Sequence, residues 1–196
     1  MIKSIRIFIL NVLIISLVFS KNDPYSSFKK YMDQNIGSIF YISYHQNQYN
    51  ESLVYDGIIS FKSYKKYIFD NKLMRIVYDN KYIKTINKQN KQIIYDETIA
   101  GEVSLFDLLF SKDKLDVSLV NSSNPNISII NFTLEALDIK VILKVRNLSG
   151  EPKQLSFFNV DSSLMSFVEI KKIENKDDFT LKAIDTTSYE LIDLRE

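Results

Sequence analysis

The sequence predicts an α+β fold in which an antiparallel β-sheet curls or closes and apolar helices cover it. Three observations favour this fold. Residues 24–37 carry apolar side chains at helical spacing, short alternating segments occupy most of the rest, and residues 102–110 are apolar nearly all round. Short strands separated by turn residues at this spacing are typical of curled antiparallel sheets. A curled sheet with two apolar helices can enclose an apolar cavity.

The first helix is predicted over about residues 24–37. Asp23 is a good N-cap and Pro24 suits the first helical position, while Gly37 fits the helix end. The apolar stripe that recurs at spacings of three and four consists of Phe28, Tyr31, Met32, Ile36 and Ile39.

From Phe40 the period changes to two, which indicates strands. The turn pairs Asp70-Asn71 and Asp79-Asn80 separate strands, and Gly57 predicts a bulge or bend within one. The predicted strands are 40–45, 53–61, 67–69, 74–78, 82–86, 92–95, 127–134, 139–145, 154–159, 165–173 and 179–184.

The composition excludes several classes of protein. A chain of 196 residues favours one domain, and 25 Lys+Arg against 24 Asp+Glu gives no support for nucleic-acid binding. With no cysteine, the chain has no disulfide, no thiolate metal site, no cysteine nucleophile and no lipidated N-terminal cysteine.

Residues 1–20 have the pattern of a secretory signal peptide. Lys3 and Arg6 are followed by an apolar run from residue 7 to 19, and Val18 and Ser20 suit a cleavage site. A membrane anchor is the alternative, but the run is shorter than the about 20 apolar residues that span a bilayer. We therefore expect an exported protein whose single mature domain covers residues 21–196.

Motifs that carry chemistry are scarce. The four glycines are isolated, so neither a G-x-S-x-G elbow nor a phosphate-binding glycine loop occurs, and His45 is the one histidine. His45 is interpreted as a solvent-facing or barrel-rim side chain. We expect no catalytic residues, no metal site and no cofactor.

Several segments together resemble the LolA-type outer-membrane lipoprotein carriers. These are the opening helix and aromatic strand, the segment Gly57–Lys62, residues 75–87 with their turn Asp79-Asn80-Lys81, the apolar segment 102–110 and the ending Phe179–Lys182. The resemblance implies an open, incomplete antiparallel β-barrel with a helical lid enclosing an apolar cavity. The family has an Arg-Pro pair before one aromatic strand, and Ser63-Tyr64 stands there in this chain. Ser63 cannot supply the charged guanidinium that is thought to hold the lid shut.

The resemblance implies a monomeric periplasmic chaperone that carries lipoproteins from the inner to the outer membrane. Its partners would be acylated lipoproteins, an inner-membrane ABC-type lipoprotein release complex and an outer-membrane lipoprotein receptor. The predicted lining of the lipid-binding cavity is Phe40, Ile42, Tyr44, Ile59, Phe61, Phe69, Ile76, Tyr78 and Phe132, with Phe106 and Leu109 in the helical lid. Each of these side chains could equally be a plain core residue.

Two other functions remain open. The first is a periplasmic lipid-binding or envelope-sensing module on the same fold, which the missing arginine favours. The second is a secreted hydrolase, which would need a nucleophile and a base near His45.

Overall fold

The structure, a computed structural model, describes residues 23–48, 51–63, 65–98, 116–134, 138–159, 163–174 and 181–195. The predicted signal peptide, the apolar segment 102–110, and Phe106 and Leu109 within it lie outside these ranges. The single described helix is α1 (Pro24–Gln34). The strands are β1 (Ile39–Gln48), β2 (Glu51–Ser63), β3 (Lys66–Asn71), β4 (Met74–Asp79), β5 (Tyr82–Asn87), β6 (Gln92–Glu97), β7 (Val117–Val120), β8 (Ile127–Leu134), β9 (Ile139–Arg146), β10 (Pro152–Phe158), β11 (Leu164–Lys172) and β12 (Glu190–Asp193).

All twelve described strands form one sheet, in the order β12-β6-β5-β4-β3-β2-β1-β11-β10-β9-β8-β7. Strands β1 to β6 form one meander and β7 to β11 a second, and the two meanders join where β1 pairs with β11. Among the described strands, β12 and β6 pair in parallel and the remaining pairs are antiparallel. The end strands β12 and β7 do not pair with each other, so the sheet is not closed.

The prediction of an α+β fold with a helical lid over an enclosed cavity is therefore wrong. The described chain is nearly all β, with one helix of 11 residues. The physical reason is that apolar residues alternate with polar ones over most of this chain, and that period places one face of a strand on the core. Within the described ranges, one segment alone carries the wider spacing of a helical stripe.

Helix α1 is present and begins where the capping residues predict. The Asp23 carboxylate accepts hydrogen bonds from the backbone N–H groups of Tyr25 and Ser26, both at 3.2 Å. The Ser26 hydroxyl also donates to it, which holds the pKa of Asp23 below its usual range. The helix ends three residues earlier than predicted, because Asn35 caps it by donating its side-chain amide to the Tyr31 carbonyl at 2.8 Å.

Helix α1 packs on one face of the sheet through Phe28 and Met32, both 1% exposed. The turn between β9 and β10 meets the helix backbone at Gly150. A β-carbon at Gly150 would lie 2.2 Å from the Ser27 carbonyl oxygen, so only glycine allows this approach. The helix and the turn therefore close the core over the second meander.

The turns follow the predictions in part. Asn80 has φ +49° in the tight turn between β4 and β5, as the Asp-Asn pair predicts. Asp70-Asn71 is not a turn, because β3 continues through Asn71, whose side-chain oxygen accepts hydrogen bonds from the backbone N–H groups of Leu73 and Met74. Gly57 does not mark a bulge either. It keeps its register with both neighbouring strands, and the irregularity of β2 lies between Phe61 and Ser63.

The C-terminal strand is displaced from its predicted place. The described part of the predicted strand, residues 181–184, is not a strand, and β12 follows it at Glu190–Asp193. Arg195 fastens this edge, since its guanidinium lies 4.7 Å from the centre of the Tyr95 ring on β6 and pairs with Asp193. That ion pair lowers the pKa of Asp193 to about 2.

Candidate functional site

The predicted lipid-binding residues that the structure describes lie together on the face that α1 covers. Two cross-strand rows show this. One row pairs Phe40, Ile59, Phe69 and Ile76 across β1 to β4, and the next joins Phe61, Tyr67 and Tyr78 across β2 to β4. Ile42 and Tyr44 follow Phe40 at alternate positions of β1, and Phe132 on β8 lies over the same core. We call this surface the apolar face.

Burial divides these nine residues into two groups. Five are at most 4% exposed and belong to the packed core: Phe40, Ile42, Ile59, Phe61 and Phe132. Four are half-buried: Tyr44, Phe69, Ile76 and Tyr78. A ligand could reach the half-buried group with less rearrangement than the core group. Their part in lipid binding stays a prediction.

Aromatic rings line the apolar face across the first meander. The ring centres of Phe40 and Phe61 are 5.8 Å apart in an edge-to-face contact, and the rings of Tyr67 and Tyr78 stack at 4.8 Å. Phe69 lies directly over Gly57, where a β-carbon would come within 2.4 Å of its ring. Because Gly57 has no side chain, the Phe69 ring can pack directly against the Gly57 backbone.

The apolar face continues past the helix-covered core onto β4, β5 and β6. Half-buried side chains occupy its middle there, and they are Met74, Ile76, Tyr78, Ile83, Thr85 and Ile94. Polar residues lie at its ends, with the half-buried Asn87 and Gln92 beside Met74 and the exposed Asp96 beside Ile83. The five charged side chains of β3 to β5 all lie on the opposite face, and they are Lys66, Asp70, Arg75, Asp79 and Lys84. Within these three strands, no charged side chain therefore lies on the apolar face.

Sequence reasoning missed the second meander's share of this face. Buried residues from β8 to β11 complete the core: Ile130, Val141, Leu143, Val145, Leu155, Val168 and Ile170. A signal for them was present, because Ile139, Val141, Leu143 and Val145 alternate with polar residues along β9. The alternation predicts a shared face but not which distant strands meet there.

A polar cluster lies on the opposite face of the two central strands. The hydroxyl of Ser43 lies 3.1 Å from Nε2 of His45, and the His45 ring stacks on Phe167 with 4.3 Å between ring centres. Hydrogen bonds from Ser43 and Tyr41 hold the pKa of Asp56 below its usual range. The bond to Asp56 raises the pKa of Tyr41 in turn.

The order of groups in this cluster differs from that of a serine hydrolase. In a Ser-His-Asp triad the carboxylate contacts the histidine, which then takes the proton of the serine. Here the Asp56 carboxylate contacts Ser43 and Tyr41 instead of His45. Because the Ser43 hydroxyl donates its hydrogen to Asp56, His45 must donate to the Ser43 oxygen and does not act as the base that accepts the serine proton. The arrangement therefore forms a chain of hydrogen bonds across the sheet, with a serine whose residue is 8% exposed.

Ser63 closes the short turn between β2 and β3, where its hydroxyl accepts a hydrogen bond from the Lys65 backbone at 3.4 Å.

Arg75 joins two distant parts of the chain, which the sequence did not indicate. We call its contacts the Arg75 clamp. Arg75 binds both carboxylate oxygens of Asp70, at 2.9 and 3.1 Å, and donates to the Lys182 carbonyl at 2.9 Å. Burial opposes ionisation of Asp70, but the bonds from Arg75 and from Lys88 outweigh it and lower the pKa of Asp70.

The Arg75 clamp holds the C-terminal segment on the face of the sheet opposite the apolar face, which we call the charged face because the charged side chains of β3 to β5 lie on it. Arg75, Ile86, Ile93 and Leu191 follow one another in a cross-strand row on that face. Ile86 and Ile93 are 7% and 9% exposed, although the charged face does not carry the main core. The C-terminal segment runs from Lys182, beside Arg75, to β12 at the other end of this row, and so connects the two ends of the row.

The described residues hold neither a metal cluster nor a membrane-spanning helix. No three His, Asp or Glu side chains there lie close enough together to bind a metal ion. No helix in the described ranges is long and apolar enough to cross a membrane.

Comparison with known proteins bears on the fold. No protein-family model and no curated protein matches the sequence. Among solved structures, an uncharacterized conserved protein from Thermus thermophilus matches with a TM-score of 0.55 at 8% identity, over 87% of this chain and 99% of that one. A LolA superfamily protein from Nitrosomonas europaea matches at 0.41 and 13% identity, over 79% and 96% of the two chains.

The Pseudomonas aeruginosa MucA/MucB complex also matches, at 0.44 and 10% identity, where this chain covers 83% of its own length and 62% of the matched chain. The matches to the LolA superfamily protein and to MucB have TM-scores below 0.5. The sequence identities of all three matches are too low for the function of those proteins to be inferred for this chain. The chain therefore shares its fold with the Thermus thermophilus protein.

Proposed function

We propose that this protein is exported and buries the acyl chains of lipoproteins on its apolar face, as a carrier between the inner and outer membranes. The observation that supports this most is the separation of charge in β3 to β5. Every charged side chain lies on one face, and the other carries half-buried aromatic and aliphatic residues. The signal-peptide pattern and the resemblance to lipoprotein carriers support the periplasm as the compartment.

A carrier is needed because acyl chains are costly to expose to water. Each buried CH₂ contributes about 0.8 kcal/mol, so a chain of sixteen carbons costs on the order of 12 kcal/mol to expose. Ile76, Ile83 and Ile94 offer aliphatic contact area, and Tyr78 adds an aromatic ring with a polar tip. Because these side chains are half-buried, an acyl chain can contact them while the core under α1 stays packed.

A carrier needs two protein partners. The resemblance implies an inner-membrane ABC-type release complex as donor and an outer-membrane receptor as acceptor, and both would contact the cargo-loaded protein. The protein acts in this proposal by binding, without catalysis. Purified protein should therefore show no esterase activity that S43A or H45A removes, and an activity lost in both variants would favour the hydrolase.

The experiment is a cargo test with a matched pair of variants. The precursor is expressed in a Gram-negative host, purified from the periplasm, and its bound material is identified by mass spectrometry. I76N places an amide on the apolar face, and V77N places the same amide one residue away on the charged face of the same strand. We expect near-stoichiometric triacylated lipoprotein on the wild type and on V77N, and clearly less on I76N.

Other outcomes count against the carrier. Free fatty acid or phospholipid as the sole bound material would point to another lipid ligand. Equal loading of I76N and V77N would move the lipid site away from the apolar face. An empty protein that also fails to release lipoprotein from vesicles bearing the donor complex would reject the proposal.

An envelope-sensing module is the second candidate, and Ser63 in the place of the family's arginine favours it. A sensor would bind lipid or a protein partner without handing lipoprotein to a receptor. A transfer assay from loaded protein to outer-membrane vesicles separates the two, because a carrier empties and a sensor stays loaded.

A further inference from the structure

A concave site lies among β7, β8 and β9, at the opposite end of the strand order from the proposed lipid contacts on β4 to β6. It has a volume of about 330 Å³ and is partly open to solvent. Its lining consists of Asp116, Val117, Ser118, Asn131, Phe132, Thr133 and Lys140. We call it the β7–β9 pocket.

The strand register brings the polar members of this lining to one face. Ser118 pairs with Asn131, and Thr133 pairs with Lys140. Asp116 precedes Val117, which pairs with Phe132, so Asp116 lies beside Thr133. Neighbouring side chains in such pairs are about 5 Å apart at Cβ, and successive rows are about 7 Å apart. Since Phe132 is in the core, these polar groups lie on the face opposite the core.

The polar groups of the β7–β9 pocket have unused bonding capacity. The side-chain oxygen Oδ1 of Asn131 is buried and has no hydrogen-bond partner. Asp116 and Lys140 form no ion pair within the described part of the chain, where other acids and bases do. A buried carbonyl oxygen without a donor costs free energy, so a site that keeps one calls for a ligand or water that supplies the donor.

We propose that the β7–β9 pocket binds a small zwitterion, with an ammonium group and an anionic oxygen group a few bonds apart. The ammonium group donates to the Asp116 carboxylate and to Oδ1 of Asn131. The anionic group accepts from the Lys140 ammonium and the Thr133 hydroxyl on the other side. Asp116 and Lys140 are two strand spacings apart, about 10 Å between backbones, which leaves room for such a ligand between them.

Two sources share this chemistry, namely a free zwitterion and the phosphoethanolamine headgroup of a lipid. The proposal does not depend on the acyl-chain site. Phe132 belongs to both linings but is a core residue at 4% exposed, and the polar groups of the pocket lie on the face of the sheet opposite the half-buried lipid contacts. Loss of one site is therefore compatible with an intact second site.

The test is calorimetric titration of the whole protein with O-phosphoethanolamine and with glycine. Methylamine and inorganic phosphate serve as the two half-ligands. We expect O-phosphoethanolamine to bind in the millimolar range or more tightly, and each half-ligand to bind at least about fivefold more weakly. Phosphate binding as strongly as O-phosphoethanolamine would overturn the proposal, and so would a lack of binding by both zwitterions.

Variants place the ligand in the pocket. D116N and K140Q should each weaken binding by about fivefold, as expected for an exposed charge contact. K144Q is the matched control, because Lys144 lies on the same face of β9 but outside the pocket lining. Equal affinities of K140Q, K144Q and wild type would overturn the site.

The Asn131 variant supplies a readout that a merely structural residue would not give. N131L removes the unpartnered oxygen in a side chain of similar size, so it should abolish zwitterion binding and leave the melting temperature equal or higher. Loss of stability together with retained binding would show that Asn131 serves the fold alone.

Vesicles distinguish the two sources. Co-sedimentation with phosphatidylethanolamine vesicles, absent with phosphatidylcholine vesicles that lack ammonium N–H donors, assigns the lipid headgroup. Binding of the free zwitterions without vesicle binding assigns a soluble ligand.

Discussion

Replacing Gly150 with alanine should detach α1 from the sheet by a measurable amount. Gly150 has φ +72°, and its new β-carbon would lie 2.2 Å from the Ser27 carbonyl oxygen and 2.6 Å from the Phe28 nitrogen. Both are backbone atoms, so no side chain can rotate away. Because ordinary contact begins near 3.4 Å, the helix must retreat by about 1 Å.

The cost follows from that retreat. The positive φ costs about 1–2 kcal/mol for a residue with a β-carbon. Burial of Phe28 and Met32 is worth about 1.5–3 kcal/mol each, and a gap of 0.5–1 Å forfeits about a quarter to a half of the contact energy. The retreat therefore adds about 1–3 kcal/mol. We expect G150A to lower the free energy of unfolding by about 3 kcal/mol in urea titration.

Gly37 offers a matched control for the clash. It also has a positive φ, of +86°, but no atom lies within 4 Å of the position that a β-carbon would take there. G37A should therefore cost only the backbone term, about 1–2 kcal/mol. Equal losses in G150A and G37A would refute the close packing of the β9–β10 turn on the helix.

Three further predictions concern single groups. Because Asp70 has a lowered pKa, its pairing with Arg75 stabilises the fold above pH ~4, and this stabilisation is lost as the pH falls through the folded-state pKa. D70N should lower the free energy of unfolding by about 2 kcal/mol at neutral pH, which is less than the loss of a fully buried pair would cost. In a plot of the free energy of unfolding against pH, D70N should also show a smaller decrease at acid pH than the wild type. Burial and nearby acids raise the pKa of Tyr31 to about 12, so the stability that its neutral phenol contributes is present below pH ~10 and is lost as the pH rises towards 12. Y31F should remove one phenol that titrates near pH 12 from the tyrosinate absorbance curve, and an unchanged titration would contradict this. G57A should cost about 2 kcal/mol by forcing the Phe69 ring aside, and adding F69L should recover part of the loss in a double-mutant cycle.

Local patterns predicted the elements better than their assembly. The cap at Asp23 and the turn at Asn80 depend on neighbouring residues, and both are present. The alternation beginning at Phe40 was interpreted in the right register, which is why the predicted lining residues share one face. Fold class was predicted wrongly, because how many helices cover a sheet is not a local property of any segment.

The candidate site was predictable only where the chain itself carries the pattern. Nothing near Arg75 signals that its guanidinium meets the carbonyl of Lys182, more than one hundred positions away. The strand β12 was missed because four residues give too short an alternation and its parallel partner is remote. The polar contacts of Ser43 and Asp56 depend on a register between strands, which a one-residue slip would abolish.

The division of the sheet into two meanders bears on how the chain acquires its structure. Each meander is built from hairpins between consecutive strands, whose ends are close in sequence and meet quickly. The β1–β11 seam joins residues such as Tyr44 and Val168, which are far apart along the chain. Until that seam forms, β1 and β11 are two unpaired edges with apolar side chains, open to pairing with other molecules. The slow and aggregation-prone moment of folding is therefore expected at the centre of the finished sheet, not at its ends.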